Sequence, residues 1–155
     1  SNLGGMPLNL ETKYFGRITY NSEDVLEFPN GLFGFEQEKQ FLLLPFSGSQ
    51  GNMLCLQSIL APSPAFILMN PFSLKPDYAP VLSGEELQLM GVSHSYELCY
   101  YVMCVAREPV GESTVNLRCP VVVNPDLHRA CQVILDTEEY HMRHRLDEFS
   151  KKGVE

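Results

Sequence analysis

Tyr96-Glu97-Leu98-Cys99-Tyr100-Tyr101-Val102-Met103-Cys104-Val105-Ala106-Arg107 is the longest and most aromatic apolar stretch of the chain. Its tyrosines, valines and cysteines suit a pleated, half-buried surface, so the stretch reads as a central β-strand. Shorter runs of the same kind lie on both sides of it. Thr12 to Tyr20 ends near Asn21-Ser22, Asp24 to Phe28 follows, and then Gln40 to Phe46. Met53 to Leu60 and Ala65 to Met69 flank Ala61-Pro62-Ser63-Pro64, and Thr114 to Leu117, Val121 to Asn124 and Ala130 to Leu135 come after the aromatic run. Many short strands punctuated by Gly, Pro, Asn and Ser predict an all-β fold, an antiparallel sandwich or a compact antiparallel β-barrel-like single domain.

Helix signals are few. Ser83-Gly84-Glu85-Glu86 has the capping-box spacing ahead of Leu87, Leu89 and Met90, which predicts a short helix from Gly84 to Met90. Towards the C-terminus Met142, Leu146 and Phe149 recur at helical spacing, while Tyr140, Met142, His144 and Leu146 alternate at period two. The expectation is an extended stretch to about Leu146, then a frayed or helical tail over 147–155. Residues Ser1 to Gly5, ahead of Met6, read as an expression remnant, leaving 6–155 as one domain.

The 155 residues suffice for one domain with a real core. No apolar run approaches the roughly 18 residues of a membrane span, and no basic region followed by an apolar stretch marks a secretory signal. Cys55, Cys99, Cys104, Cys119 and Cys131 are an odd set with no close C-x-x-C pair, each in or beside an apolar run. They read as small reduced hydrophobes in a cytoplasmic protein. The net charge of −8 argues against direct nucleic-acid binding and favours a basic partner.

Phe28-Pro29-Asn30-Gly31-Leu32-Phe33-Gly34-Phe35 packs four large apolar residues around one proline and two glycines. Pro-Asn-Gly sets a turn and Gly34 permits a second bend, so this is a shaped apolar loop. Its aromatics either plug one end of the core or form a partner-facing edge. Glu23, Asp24, Glu27, Glu36 and Glu38 surround it against Lys39 alone between Asn21 and Gln40.

Catalytic constellations are missing. His141 and His144 could share a helical face as metal ligands, but only Glu138 and Glu139 stand near as further donors, and an extended segment would send the two rings apart. Neither metal nor cofactor is expected. Cys99 and Cys104 lie in a strand with no adjacent His and orienting group for nucleophilic attack. The pairs Glu85-Glu86 and Glu138-Glu139 fit helix-start or loop positions. No phosphate loop, dinucleotide fingerprint or serine elbow occurs, so an enzyme is not expected.

The order of motifs resembles the flagellar assembly factor FliW family from about residue 13 to 146. The resemblance rests on F-P-N-G-L-F-G-F at Phe28 to Phe35, L-Q-S-I-L at Leu56 to Leu60, A-F-I-L-M-N-P-F at Ala65 to Phe72 and P-D-Y at Pro76 to Tyr78. It continues through T-V-N-L-R-C-P-V-V-V-N at Thr114 to Asn124, C-Q-V-I-L at Cys131 to Leu135 and Y-H-M-R-H-R-L at Tyr140 to Leu146. Asn70-Pro71 departs from the family, which more often has an acidic residue before that proline. The resemblance implies a cytoplasmic, non-enzymatic regulator that binds flagellin and antagonises the RNA-binding translational regulator CsrA, relieving repression of flagellin mRNA. On that reading the basic regulator docks on Glu23, Asp24, Glu27, Glu36 and Glu38, with Leu32, Phe33 and Phe35 as apolar anchors. Phe72 and Tyr78 form a second candidate patch, for flagellin. A flagellin secretion chaperone without translational role and a small-ligand-binding β-barrel are the alternatives.

Overall fold

Seven strands curl into a closed barrel, and a hairpin, two short helices and a two-stranded flap cover its outside. The structure, a computed structural model, describes residues 5–149. The expected remnant therefore lies outside the described residues except for Gly5, as does the expected tail from position 150 on. Strands β1 (Leu8–Glu11) and β2 (Arg17–Tyr20) form a separate hairpin. The main sheet holds β3 (Leu26–Glu27), β4 (Gln40–Pro45), β5 (Met53–Ser58), β6 (Ala65–Met69) and β7 (Cys99–Val105). It is completed by β8 (Thr114–Val115), β9 (Val121–Asn124), β10 (Arg129–Gln132) and β11 (His144–Arg145), while α1 (Pro71–Leu74) and α2 (Gly84–Leu89) join β6 to β7.

The aromatic run supplies the strand on which closure depends. One edge of β7 pairs with β6, and the other is divided: Cys99, Tyr100 and Tyr101 face β9, while Cys104 and Val105 face β8. The ring therefore runs β7-β6-β5-β4-β3-β10-β9 and back to β7, and β8 splays outward to pair with β11. Every ladder is antiparallel but one. Arg129 and Glu27 bridge β10 and β3 in parallel, with the Glu27 N–H donating to the His128 carbonyl at 2.9 Å.

Period-two alternation sorts the strand residues between two cores. Inside the barrel lie Leu26, Phe28, Leu32, Phe41, Leu56, Leu68, Val121, Val123 and Ala130, with Cys99, Tyr101 and Met103 from β7. The intervening Tyr100, Val102 and Cys104 turn outward, under α1, α2 and the C-terminal segment, with Met90, Leu98, Leu117, Val122, Cys131, Leu135 and Tyr140. A third cluster seats the hairpin, through Leu10, on Leu42 of β4.

Several boundaries differ from the sequence expectation. Thr12 to Tyr20 is broken by a turn in which the Thr12 hydroxyl accepts from the Phe15 N–H at 2.8 Å and donates to the Gly16 carbonyl at 2.7 Å. The first three residues of the aromatic run leave the strand, with Ser95–Glu97 in a 3-10 turn. Helix α1 was not anticipated, although Asn70 caps it by accepting from the Phe72 N–H at 2.9 Å, with Pro71 at its first position. The expected extended C-terminal stretch shrinks to the two residues of β11, and Asp147 to Phe149 are helical.

Candidate partner-docking surface

The loop after β3 is fixed by its own backbone. Phe28 donates to the Lys39 carbonyl at 2.8 Å and Gly31 to the Phe28 carbonyl at 2.9 Å. Leu32 and Phe35 exchange bonds of 3.2 and 2.8 Å, closing a tight reversal around Phe33 and Gly34. Gly31 is required twice over: its φ is +66°, and an added Cβ would lie 2.5 Å from the Glu36 carbonyl oxygen. From the neighbouring strand, Gln132 of β10 accepts from the Phe33 N–H at 3.0 Å. Nothing local in the sequence announces that partner, 99 residues away.

The apolar residues of the loop divide between the core and the surface. Phe28 and Leu32 are buried in the barrel, whereas Phe33 is 48% and Phe35 41% exposed. Phe35 stands edge-on to Phe66 of β6 at 5.1 Å between ring centroids, so one side of it is packed and the other faces outward. Leu32, expected as a surface anchor, is instead a core residue at 1% exposure, because its bridge to Phe35 turns the side chain inward. Glu23, Asp24, Glu27 and Glu36 are exposed and Glu38 is half-buried. The Gly34 N–H, donating to Glu36 Oε2 at 3.0 Å, holds that carboxyl below the ordinary glutamate range. Glu27 accepts from Gln40 at 2.7 Å, Asp24 caps Asn21, and Glu38 accepts from the Ser58 hydroxyl at 3.2 Å.

The second expected patch divides in the same way. Phe72 is 40% exposed, but Tyr78 is only 3% exposed. The Tyr78 hydroxyl donates to the Leu117 carbonyl at 2.8 Å, and its ring packs 4.8 Å from that of Tyr140. Burial pushes its phenol pKa upward. Tyr78 belongs to the outer core, since only a buried position gives its hydroxyl that carbonyl.

A family profile described as "FliW protein" matches residues 9–146 of this chain. The chain belongs to the FliW family. A flagellar assembly factor FliW from Caldanaerobacter subterraneus subsp. tengcongensis is 36% identical over 146 residues, covering 94% of this chain and 97% of that relative. Another from Ruminiclostridium cellulolyticum is 34% identical over 146 residues, 94% of this chain and 99% of the relative. A crystal structure of the flagellar assembly factor FliW superposes with a TM-score of 0.83 at 33% identity, covering 90% of this chain and 96% of that one. The barrel is thus a FliW barrel, and the family is named for flagellar assembly rather than for a catalysed reaction.

Four of the cysteine thiols are shielded by burial, and both ring nitrogens of His144 are engaged. All five cysteines are free thiols. Burial pushes Cys55 and Cys131 up to about 11, and Cys104 and Cys119 also upward, which keeps these thiols protonated near neutrality. The His141 and His144 rings do come together, stacked at 5.2 Å, rather than pointing apart as an extended strand would send them. His144 Nε2 accepts from the His141 N–H at 2.9 Å and Nδ1 lies 3.0 Å from Glu148 Oε2, so neither nitrogen is left for a metal. Among the described residues no group of three His, Cys, Asp or Glu is placed to hold a metal ion, and no helix is long and apolar enough to cross a membrane.

Proposed function

We propose that this FliW-family chain is a cytoplasmic, non-enzymatic regulator that binds flagellin and antagonises a CsrA-type RNA-binding translational regulator. When free flagellin is scarce, the chain is released to the regulator and relieves repression of flagellin mRNA. Accumulating flagellin recaptures it by mass action. The single observation that carries this reading is the loop rim: exposed Phe33 and Phe35 bordered by Glu23, Asp24, Glu27 and Glu36. Two aromatics held rigid by backbone bonds lose little conformational freedom on docking, and the acids around them complement the basic surface an RNA-binding protein must present. Membership of a flagellar assembly family supports flagellum-related partners. Phe72, presented by the capped α1, is the second docking candidate, for flagellin.

The charge-reversed double variant Glu36→Lys with Glu38→Lys tests this surface by calorimetric titration with the regulator. A loss of affinity of roughly tenfold or more at low salt, shrinking as salt is added, is expected for rim charges that steer a basic partner. Unchanged affinity at low salt would remove the acidic rim from the interface.

A further inference from the structure

Where β8 leaves the barrel wall, the inner face of the flap stays open. Met103, Val105 and Arg107 follow one another on that face, and the register sets Val105 opposite Thr114, with the Asn116 N–H donating to the Met103 carbonyl at 3.0 Å. With Met142 and Arg143, which precede β11, these residues line a cleft of about 360 Å³. The loop rim described above contributes nothing to it.

The polar lining has one character. No carboxylate lines the cleft. Asn116 is committed locally: its Oδ1 accepts from the Arg118 and Cys119 N–H groups at 3.1 and 2.9 Å, and its side chain also bonds the Cys119 thiol. Thr114 adds a hydroxyl, and Arg107 and Arg143 add two guanidinium groups. Three other cations of this acidic chain are ion-paired, Arg145 with Asp147 at 2.6 Å, Lys75 with Asp77 at 3.2 Å and Arg17 with Glu11 at 3.8 Å, whereas Lys39 and Arg129 reach backbone carbonyls. Among the described residues Arg107 and Arg143 enter no ion pair, and Arg107 reaches only the Ala106 carbonyl, at 3.5 Å. Arg107 and Arg143 are both exposed, so with no carboxylate on the cleft their guanidinium groups are accessible to an anion. Beneath them, Val105 is 48% and Met142 53% exposed, an apolar floor whose methionines adapt to different side chains.

We infer that the Arg107–Arg143 cleft is a second docking site, for an acidic peptide segment of a protein partner that carries apolar side chains between its carboxylates. Carboxylates pair with the two arginines and accept from the Thr114 hydroxyl, and an apolar side chain covers Met103, Val105 and Met142. An RNA phosphate backbone satisfies the arginines but brings no aliphatic side chain to this floor.

The test is fluorescence anisotropy of the full chain with a labelled hexapeptide of alternating glutamate and leucine. An alternating lysine–leucine hexapeptide and a uridine hexanucleotide serve as comparisons. Saturable binding of the glutamate–leucine peptide, weakened roughly tenfold by Arg107→Ala with Arg143→Ala and lost as salt rises, is expected. Val105→Ser, a surface change, lowers affinity for that peptide without altering the salt dependence. Absence of saturable binding, equal binding by the double variant, or preference for the lysine peptide or the oligonucleotide would each overturn the assignment. The double variant exchanges two exposed side chains, so an unchanged melting curve confirms that any lost binding is not lost folding.

Discussion

Replacing Gly31 with alanine probes the loop on which the docking surface is built, and Gly34 supplies its own control. Both glycines have positive φ, +66° and +84°, so alanine at either one costs about 1–2 kcal/mol of backbone strain. At Gly34 a Cβ meets nothing within 4 Å, and strain is the whole effect. At Gly31 the Cβ falls 2.5 Å from the Glu36 carbonyl oxygen and 2.6 Å from that of Phe35, both backbone atoms that cannot rotate away. Relief requires moving the Phe35–Glu36 backbone and breaking the exchanged bonds between Leu32 and Phe35, about 1 kcal/mol for each bond lost. The expected penalties are therefore about 1–2 kcal/mol for Gly34→Ala and about 3–4 kcal/mol for Gly31→Ala. At about 2–4 °C per kcal/mol for a chain of this size, the thermal midpoints fall by roughly 2–8 °C and 6–16 °C. Circular dichroism melts and urea titrations of the two variants measure this directly. Equal destabilisation of the two would refute the close approach at Gly31 and with it the rigidity claimed for the rim.

Leu32→Ala should lower stability by about 2–5 kcal/mol in urea titration, whereas Phe33→Ala, half in solvent, should leave it within about 1 kcal/mol and weaken partner binding alone. A large stability loss for Phe33→Ala would make it core instead. Tyr140→Phe removes the hydroxyl that accepts from the Ala79 N–H at 2.9 Å, leaving that donor unpaired at a cost of about 1–3 kcal/mol by the same titration; no change would mean that the N–H finds water. Burial raises Cys55 and Cys131 to about 11, so the folded chain holds those protons above the pH at which the unfolded chain releases them. Their contribution is complete below the ordinary thiol value and is lost as pH rises towards about 11; the urea midpoint should fall over that window, and Cys55→Ser with Cys131→Ser should flatten the fall.

Much of the barrel was legible because alternation is a local signal. The tyrosines, valines and cysteines of β7 divide between the inner and outer cores as a period of two requires, and Ala65–Met69 and Val121–Asn124 have their predicted bounds. The parallel bridge between Glu27 and Arg129 was not legible, since it joins strands distant in sequence and consists of one residue pair. Helix α1 was readable in hindsight from Asn70-Pro71, an N-cap followed by a proline, but four residues give no periodicity. At the site, composition marked the loop without saying which aromatics turn outward. That choice lies in the Leu32–Phe35 bridge and the reach of Gln132 from β10, which are tertiary. Tyr78 misled for a related reason: a tyrosine reads as surface until a buried carbonyl such as that of Leu117 is found for its hydroxyl. The two histidines came together because β11 begins only at His144, so His141 lies outside the extended segment that would send them apart.

The regulatory reading is tested most directly by calorimetric titration of this chain with the CsrA-type regulator of its own genome, before and after saturation with flagellin. The account predicts binding of the regulator to the free chain and its loss once flagellin is bound. Flagellin binding with no regulator binding in either state would contradict it and leave a flagellin chaperone.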